Sequence, residues 1–163
     1  MGFANDTIAY YFTRVIVEAT PARVLGWDNP AAMEGARHVW EALAGTVYPS
    51  SDPVPPGSLG APAKWPPRFW RETAEHALGR GAAGHLTLID DHGFPLPIRA
   101  REARLADDGF DIAVPAGAPW SGNGKASLSY EGLETFLGES RAEGGRIHMT
   151  VERALPLHPL MND

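Results

Sequence analysis

The chain has 163 residues, of which 44% are hydrophobic and 21% are charged, and this composition excludes a wholly disordered protein. Its formal net charge of −6 argues against nucleic acid or an anionic membrane surface as the main partner. Cysteine is absent, which excludes disulfides, a thiolate nucleophile and cysteine-ligated metal or iron–sulfur sites.

The first 48 residues are predicted to form an arm of strands and one helix. Residues 14–19 alternate around β-branched side chains and residues 23–27 are a second short apolar run, so both are predicted strands. An Asp-Asn pair before Pro30 is typical of a helix start. Apolar side chains at helical spacing then predict an amphipathic helix over residues 31–43.

Residues 49–66 are the clearest linker in the chain, because six of them are prolines. Proline fixes φ and lacks an amide donor, so a regular element is not expected here. The composition favours a semi-rigid extended segment, and a polyproline II ligand for a partner is the alternative.

Residues 67–163 are predicted to be a self-contained domain of one short helix and several antiparallel strands. The helix covers residues 68–78 and ends at Gly79. Turns at intervals near ten residues predict an antiparallel sheet or small barrel rather than a βαβ fold. The predicted strands are residues 85–89, 95–105, 110–114, 125–131, 135–142 and 145–153.

None of the common catalytic motifs occurs in the chain. There is no GxSxG, GxxxxGK[ST], HExxH or helix-opening GxGxxG pattern. Residues 121–125 resemble part of a phosphate loop but lack its first glycine and the hydroxyl residue after lysine, so we interpret them as a flexible loop. No two histidines lie three to five residues apart, and we predict no metal site and assign no catalytic residue.

The best candidate binding site is a basic one. Arg99 and Arg101 have the two-residue spacing that puts both side chains on one face of a strand, where guanidinium groups suit phosphate. Lys125 and Ser127 open another strand and add an ammonium and a hydroxyl. The alternative is an ordinary solvated face of a sheet. Trp120, in a glycine-rich loop, is interpreted as a stacking surface for a planar ring or as a plug at one end of a barrel.

Residues 67–156 resemble the FMN-binding split-barrel proteins, the pyridoxamine 5′-phosphate oxidase-like group. The resemblance begins with a strand, an acidic-glycine turn and a returning strand, and it ends with the last two predicted strands. Residues 14–28 are also similar to the final strands of such a barrel. The matching segments are residues 84–95, 108–115, 124–129, 136–140 and 147–156.

This resemblance implies a mainly β protein with flanking helices (α+β): a six-stranded antiparallel split β-barrel preceded by the strand–helix arm. It further implies a homodimer, formed through the barrel and the arm, that binds FMN at the subunit interface. The positions matching the phosphate-binding residues are Arg99, Arg101, Lys125 and Ser127. Residues 116–124 contain no basic side chain where FMN-binding members often have a basic short helix, so coenzyme F420 or haem is the alternative cofactor.

Two classes of function follow. The first is a flavin-dependent oxidoreductase that acts on a small molecule, with the flavin carrying the hydride. The second is a non-catalytic assembly subunit whose proline-rich arm wraps a partner or swaps between protomers. A haem-binding member, with His85, His92 or His148 as ligand, is a third interpretation. No apolar run approaches the roughly 18 residues of a membrane span and no secretion signal is recognisable, so we expect a cytoplasmic protein without a membrane or nucleic-acid partner.

Overall fold

A computed structural model describes residues 20–48, 50, 69–130 and 134–155. This part of the chain contains nine β-strands, one α-helix and one 3₁₀ helix. It divides into two units. The described residues of the first unit are 20–26, 38–48 and 50, and those of the second are 27–37, 69–130 and 134–155. The predicted strand at residues 14–19 and the predicted linker, apart from Ser50, lie outside the described residues.

The first unit is a two-stranded antiparallel sheet of β1 (Arg23–Gly26) and β2 (His38–Glu41), with Val24 opposite Trp40. The strand at β1 was predicted correctly, but the helix predicted over residues 31–43 is wrong because β2 occupies part of it. A valine–tryptophan pair at the centre of β2 suits cross-strand packing. The apolar residues of this stretch also have helical spacing. The prediction followed that spacing and not the valine–tryptophan pair.

The helix start was predicted correctly, although the helix is short. Asn29 caps the 3₁₀ helix Pro30–Glu34, and its Oδ1 accepts a hydrogen bond from the Ala32 amide at 3.0 Å. Gly35 then adopts an extended backbone (φ −108°, ψ −164°) and ends the helix after a single short segment. A 3₁₀ helix of this length is typical of a connector.

The second unit contains α1 (Trp70–Gly79) and a seven-stranded antiparallel sheet, so the prediction of a mainly β, antiparallel domain is confirmed. The strand order across the sheet is β4–β3–β7–β8–β9–β6–β5. The strands are β3 (Gly84–Ile89), β4 (Pro95–Arg99), β5 (Glu102–Leu105), β6 (Gly109–Ala113), β7 (Gly124–Tyr130), β8 (Glu134–Glu143) and β9 (Arg146–Leu155).

The predicted count of six strands is wrong, because the strand expected over residues 95–105 is broken in the middle. The Ala100 amide donates to the Gly84 carbonyl on β3, and the next amide, that of Arg101, donates to the Ala113 carbonyl on β6, each at 2.8 Å. The chain therefore leaves one edge of the sheet and joins the opposite edge within two residues. This link curls the sheet and brings its two edges together.

The core lies on the inner face of the curled sheet and follows the alternation of each strand. Aromatic rings occupy its centre: Phe110 and Phe136 make an edge contact with centroids 5.0 Å apart, and Tyr130 lies 6.1 Å from Phe136. Helix α1 packs on this core through Ala74 and Ala77, which are fully buried. The other large core side chains are Leu86, Leu88, Ile112, Leu128, Ile147 and Met149.

Helix α1 is buried along part of its surface. Thr73 and Ala77 are buried, but Phe69 precedes the helix and is 83% exposed. His76 is also largely exposed, although one ring nitrogen reaches a buried carboxylate. The helices in the described part of the chain are not of a length and apolarity that would cross a lipid bilayer.

Candidate functional site

The second unit contains a cavity with a volume of about 530 Å³. It lies among the 3₁₀ helix, the segment joining α1 to β3, and the link between β4 and β5. Sites for small molecules have volumes of roughly 300–1,000 Å³, so this cavity has a suitable size. Its walls are mainly apolar, with Pro30, Met33 and Leu78 among them.

Two of the predicted binding residues, Arg99 and Arg101, both line this cavity. Arg101 forms an ion pair with Glu34 of the 3₁₀ helix, and that carboxylate also accepts a hydrogen bond from the Ala116 amide at 3.3 Å. Arg99 makes no ion pair with the carboxylates among the described residues. Of the two guanidinium groups at the cavity, that of Arg101 is neutralised by Glu34, and that of Arg99 is available to an anion.

The 3₁₀ helix is held at the cavity wall by a close backbone contact. The Gly117 amide donates to the Met33 carbonyl at 2.8 Å. A Cβ at Gly117 would lie 2.3 Å from the Gly35 carbonyl oxygen and 2.5 Å from that of Met33, so only glycine fits. This contact fixes the position of Met33 in the wall.

Tyr130, which the sequence analysis did not select, also lines the cavity. Tyr130 is 1% exposed, and its hydroxyl has no hydrogen-bond partner among the described residues. Burial, together with the negative charge of Glu134, raises the pKa of Tyr130 to about 12. The alternation of β7 already put Tyr130 on the core face, and a buried tyrosine usually needs a hydroxyl partner, so this signal was present in the sequence.

Gly84 lies opposite Tyr130 in the pairing of β3 with β7. A Cβ at Gly84 would lie 3.3 Å from Tyr130 Cε1, which is tighter than ordinary van der Waals contact. The glycine therefore leaves space beside the tyrosine ring that a larger residue would fill.

A buried ion pair lies beneath α1, next to Tyr130 in sequence. The carboxylate of Glu134 is fully buried, with Oε2 2.5 Å from Arg80 Nη2 and Oε1 3.0 Å from His76 Nδ1. The sequence analysis did not single out Glu134. The pairing was not apparent because both partners of Glu134 are more than 50 residues away along the chain.

The structure does not bring Lys125 and Ser127 to the cavity. Lys125 lies between two carboxylates, with Nζ 2.8 Å from Glu139 Oε1 and 3.2 Å from Glu152 Oε1. The hydrogen bond to Glu139 and then that to Glu152 raise the pKa of Lys125. Ser127 lies between Thr87 and Leu137 in the sheet. This strand face agrees with the alternative of a solvated, charge-paired surface.

Trp120 is also separate from the main cavity. Its indole Nε1 donates to the Leu96 carbonyl at 3.1 Å, and its ring packs against the core. Pro95 and Pro97 lack amide donors, so they leave the edge strand β4 with fewer groups for further pairing. Trp120 lies in a position that suits the plug interpretation.

The three histidines considered as haem ligands have different surroundings. His92 lies exposed in the turn after β3, and His85 is half-buried within that strand. Both ring nitrogens of His148 contact carboxylates: Nδ1 lies 2.8 Å from Asp111 Oδ1 and Nε2 lies 2.9 Å from Asp108 Oδ1. Within the described residues, no group of three or more histidine and acidic side chains is placed to hold a metal ion.

The two carboxylates around His148 make stability depend on pH. The hydrogen bond to Asp111, opposed by burial and reinforced by the charge of Asp108, raises the pKa of His148. The stabilisation is therefore complete below the unfolded-state pKa of about 6.5 and is lost as pH rises through the higher folded-state pKa. We expect the natural protein to have a higher free energy of unfolding in urea than His148→Gln, and we expect this difference to decrease from pH 6 to pH 9. A constant difference across this range would contradict the expectation.

Comparisons of the chain with protein-family models, curated proteins and solved structures found no match. The functional proposal is therefore based on the cavity itself. An apolar space with one available guanidinium and one unpartnered hydroxyl is suited to binding an anion that also carries apolar surface and a hydrogen-bonding group.

Proposed function

We propose that the protein is a split-barrel protein that binds an anionic, ring-containing small molecule in the cavity lined by Arg99 and Arg101, with FMN as the leading ligand. The observation that carries this proposal is the Arg99 guanidinium, which lines a cavity of about 530 Å³ without an ion pair to the described carboxylates. A guanidinium in such a position suits phosphate, with which it makes two parallel charge-assisted hydrogen bonds.

The curled sheet supports the split-barrel part of the proposal. Strands β4 and β5 are joined by Ala100 and Arg101, whose amides donate to β3 and β6, the strands next to the two opposite edges of the sheet. If β4 and β5 are counted as one bent strand, the sheet has the six strands that the resemblance to split-barrel proteins implies. The cavity lies at this bend.

The cavity residues fit FMN in part. Arg99 would hold the phosphate, and the apolar wall at Pro30, Met33 and Leu78 would contact the ring system. Bound FMN supplies hydride or electron transfer, which requires no nucleophile from the protein. The proposed activity is therefore that of an oxidoreductase acting on a small molecule, with no catalytic side chain assigned. Coenzyme F420 combines an anionic group with a related ring and is the alternative ligand.

Arg99→Gln is expected to weaken FMN binding about tenfold, since a charge-assisted hydrogen bond contributes about 1.5 kcal/mol or more. Binding of riboflavin, which has the same ring without phosphate, is expected to be unchanged. Isothermal titration calorimetry with both flavins measures the two effects. Lys125→Gln is the matched control, and we expect it to leave both affinities unchanged because Lys125 does not line the cavity.

Two results would oppose this proposal. The first is a natural protein that purifies colourless and takes up neither FMN nor F420. The second is an equal loss of FMN and riboflavin binding in Arg99→Gln, because a phosphate contact cannot account for weaker binding of a ligand without phosphate.

A second candidate function is that of an assembly subunit, and it is favoured by the first unit. The β1–β2 hairpin exposes about half of the side-chain surface of Val24, Val39 and Trp40. A two-stranded hairpin is marginally stable alone, so exposed apolar residues on it suit contact with a second copy of the chain. Light scattering of the full chain tests the implied homodimer, and a monomer at high micromolar concentration would reject it.

A further inference from the structure

We propose that Tyr130 determines the specificity of the cavity, with its hydroxyl donating a hydrogen bond to a neutral acceptor, such as a ring carbonyl, on the buried end of the anionic ligand. This inference rests on the proposed function, because it names a second contact for the ligand that Arg99 binds. It defines the ligand class as an anion at one end and an uncharged hydrogen-bond acceptor at the other.

The first observation is the unpartnered hydroxyl. Tyr130 is 1% exposed, and no described residue accepts a hydrogen bond from its hydroxyl. A buried donor without an acceptor costs free energy, and most buried polar side-chain atoms have partners. A hydroxyl of this kind at the edge of a cavity is suited to a partner that arrives from outside the chain.

The second observation is what surrounds the ring. On the core side Tyr130 packs against Phe110 and Phe136, with ring centroids 6.3 Å and 6.1 Å away, and neither offers an oxygen or nitrogen acceptor. On the cavity side Gly84 adds no side chain. Tyr130 also lines the cavity, so we infer that an acceptor reaches the hydroxyl from that side by displacing the packing that covers the hydroxyl oxygen.

The third observation is electrostatic and selects a neutral acceptor. Burial, with the nearby charge of Glu134, raises the pKa of Tyr130 to about 12, so the hydroxyl is a donor at neutral pH. Glu134 is itself paired with Arg80, and it is the buried, apolar surroundings of the hydroxyl that oppose a second anionic group there. Arg99 also lines the cavity and is the cation available to the ligand. The end of the ligand at Arg99 is therefore anionic, and the end at Tyr130 is neutral.

The flavin ring has carbonyl oxygens and ring nitrogens that meet this requirement, so FMN and riboflavin are the probes. We expect Tyr130→Phe to weaken FMN and riboflavin about three- to tenfold each, as loss of one neutral hydrogen bond predicts. Arg99→Gln weakens FMN alone. In the absence of flavin, the Tm of Tyr130→Phe is expected to equal or exceed that of the natural protein, because the variant removes an unpaired buried donor. Ser127→Ala, which removes a hydroxyl from the same strand outside the cavity, is the control for both readouts.

The outcomes separate the two proposals. If Tyr130→Phe leaves both flavin affinities unchanged, or lowers Tm in the absence of flavin, the hydroxyl has a structural role and the Tyr130 inference is overturned. The proposed function still stands in that case if Arg99→Gln separates FMN from riboflavin. If the natural protein binds neither flavin, the proposed function is overturned, and the inference that depends on it is overturned as well.

Discussion

Gly138→Ala is expected to destabilise the second unit by about 3–5 kcal/mol, which is at the upper end of single-substitution effects. A Cβ at Gly138 would lie 1.8 Å from the Thr150 carbonyl oxygen and 2.9 Å from its carbonyl carbon. These are backbone atoms of the neighbouring strand β9, so a side-chain rotation cannot relieve the overlap. Gly138 also lies at the register shift between β8 and β9, where the ladder has least freedom to adjust.

The same strand is contacted closely from its other side. A Cβ at Gly109 of β6 would lie 1.8 Å from the Met149 carbonyl oxygen. Gly109 approaches β9 at Met149, and Gly138 approaches it at the adjacent Thr150. β9 therefore lies between two close glycine contacts and lacks space to move away from either. This explains why the cost at Gly138 exceeds that of an ordinary glycine-to-alanine change in a strand.

Urea unfolding followed by tryptophan fluorescence measures the change at Gly138. Gly79→Ala is the matched control, because a Cβ at that position of α1 meets no atom within 4 Å and its φ is not positive. We expect the control to stabilise the protein by up to about 1 kcal/mol, since alanine is the better helix former. Equal stability of the two variants would show that β8 and β9 are not packed as closely as described.

Arg80→Met is expected to lower the free energy of unfolding by about 3 kcal/mol, because it leaves the carboxylate of Glu134 buried without its guanidinium partner. Glu134 is fully buried, whereas the Arg80 side chain is 31% exposed and His76 is largely exposed. The two partners are therefore not equivalent: a freed Arg80 can reach water, but a freed Glu134 cannot. Glu134→Leu is accordingly expected to cost less than Arg80→Met.

A double-mutant cycle tests this asymmetry. The combined Arg80→Met and Glu134→Leu variant is expected to be more stable than Arg80→Met alone, because it removes the charge that the single change leaves unpaired. Additive losses in the double variant, or a larger loss in Glu134→Leu than in Arg80→Met, would contradict the expectation.

Local patterns in the sequence were sufficient to predict most of the strands and the α-helix of the second unit. Alternation of apolar and polar residues predicted the strands that became β3, β6, β7, β8 and β9, and the turn residues between them predicted antiparallel connections. The helix α1 was also predicted within two residues at its start and one at its end. These predictions were correct because side-chain period and turn chemistry act over a few residues.

The errors occurred where a distant segment changed the outcome. Helical spacing over residues 31–43 predicted a helix, but pairing with β1 makes part of that stretch the strand β2. Residues 95–105 were predicted as one strand, although the alternation changes phase at the consecutive polar residues Arg101 and Glu102, next to the break. That break depends on carbonyls of Gly84 on β3 and Ala113 on β6, the strands next to the two opposite edges of the sheet.

The candidate site also combines features that local sequence predicted with features that depend on distant segments. Arg99 and Arg101 both line the cavity, but they do not share one strand face as their spacing predicted, because β4 ends at Arg99 and Arg101 lies in the link to β5. Lys125 was grouped with them by charge, but Glu139 and Glu152 from two other strands neutralise it. The sequence by itself determined which side chains are inward or outward, because that depends on the period of each strand. Only the tertiary structure decided which charges are neutralised and that the Tyr130 hydroxyl lacks a partner, because ion pairing and hydrogen bonding depend on residues that are distant in sequence and adjacent only after the sheet curls.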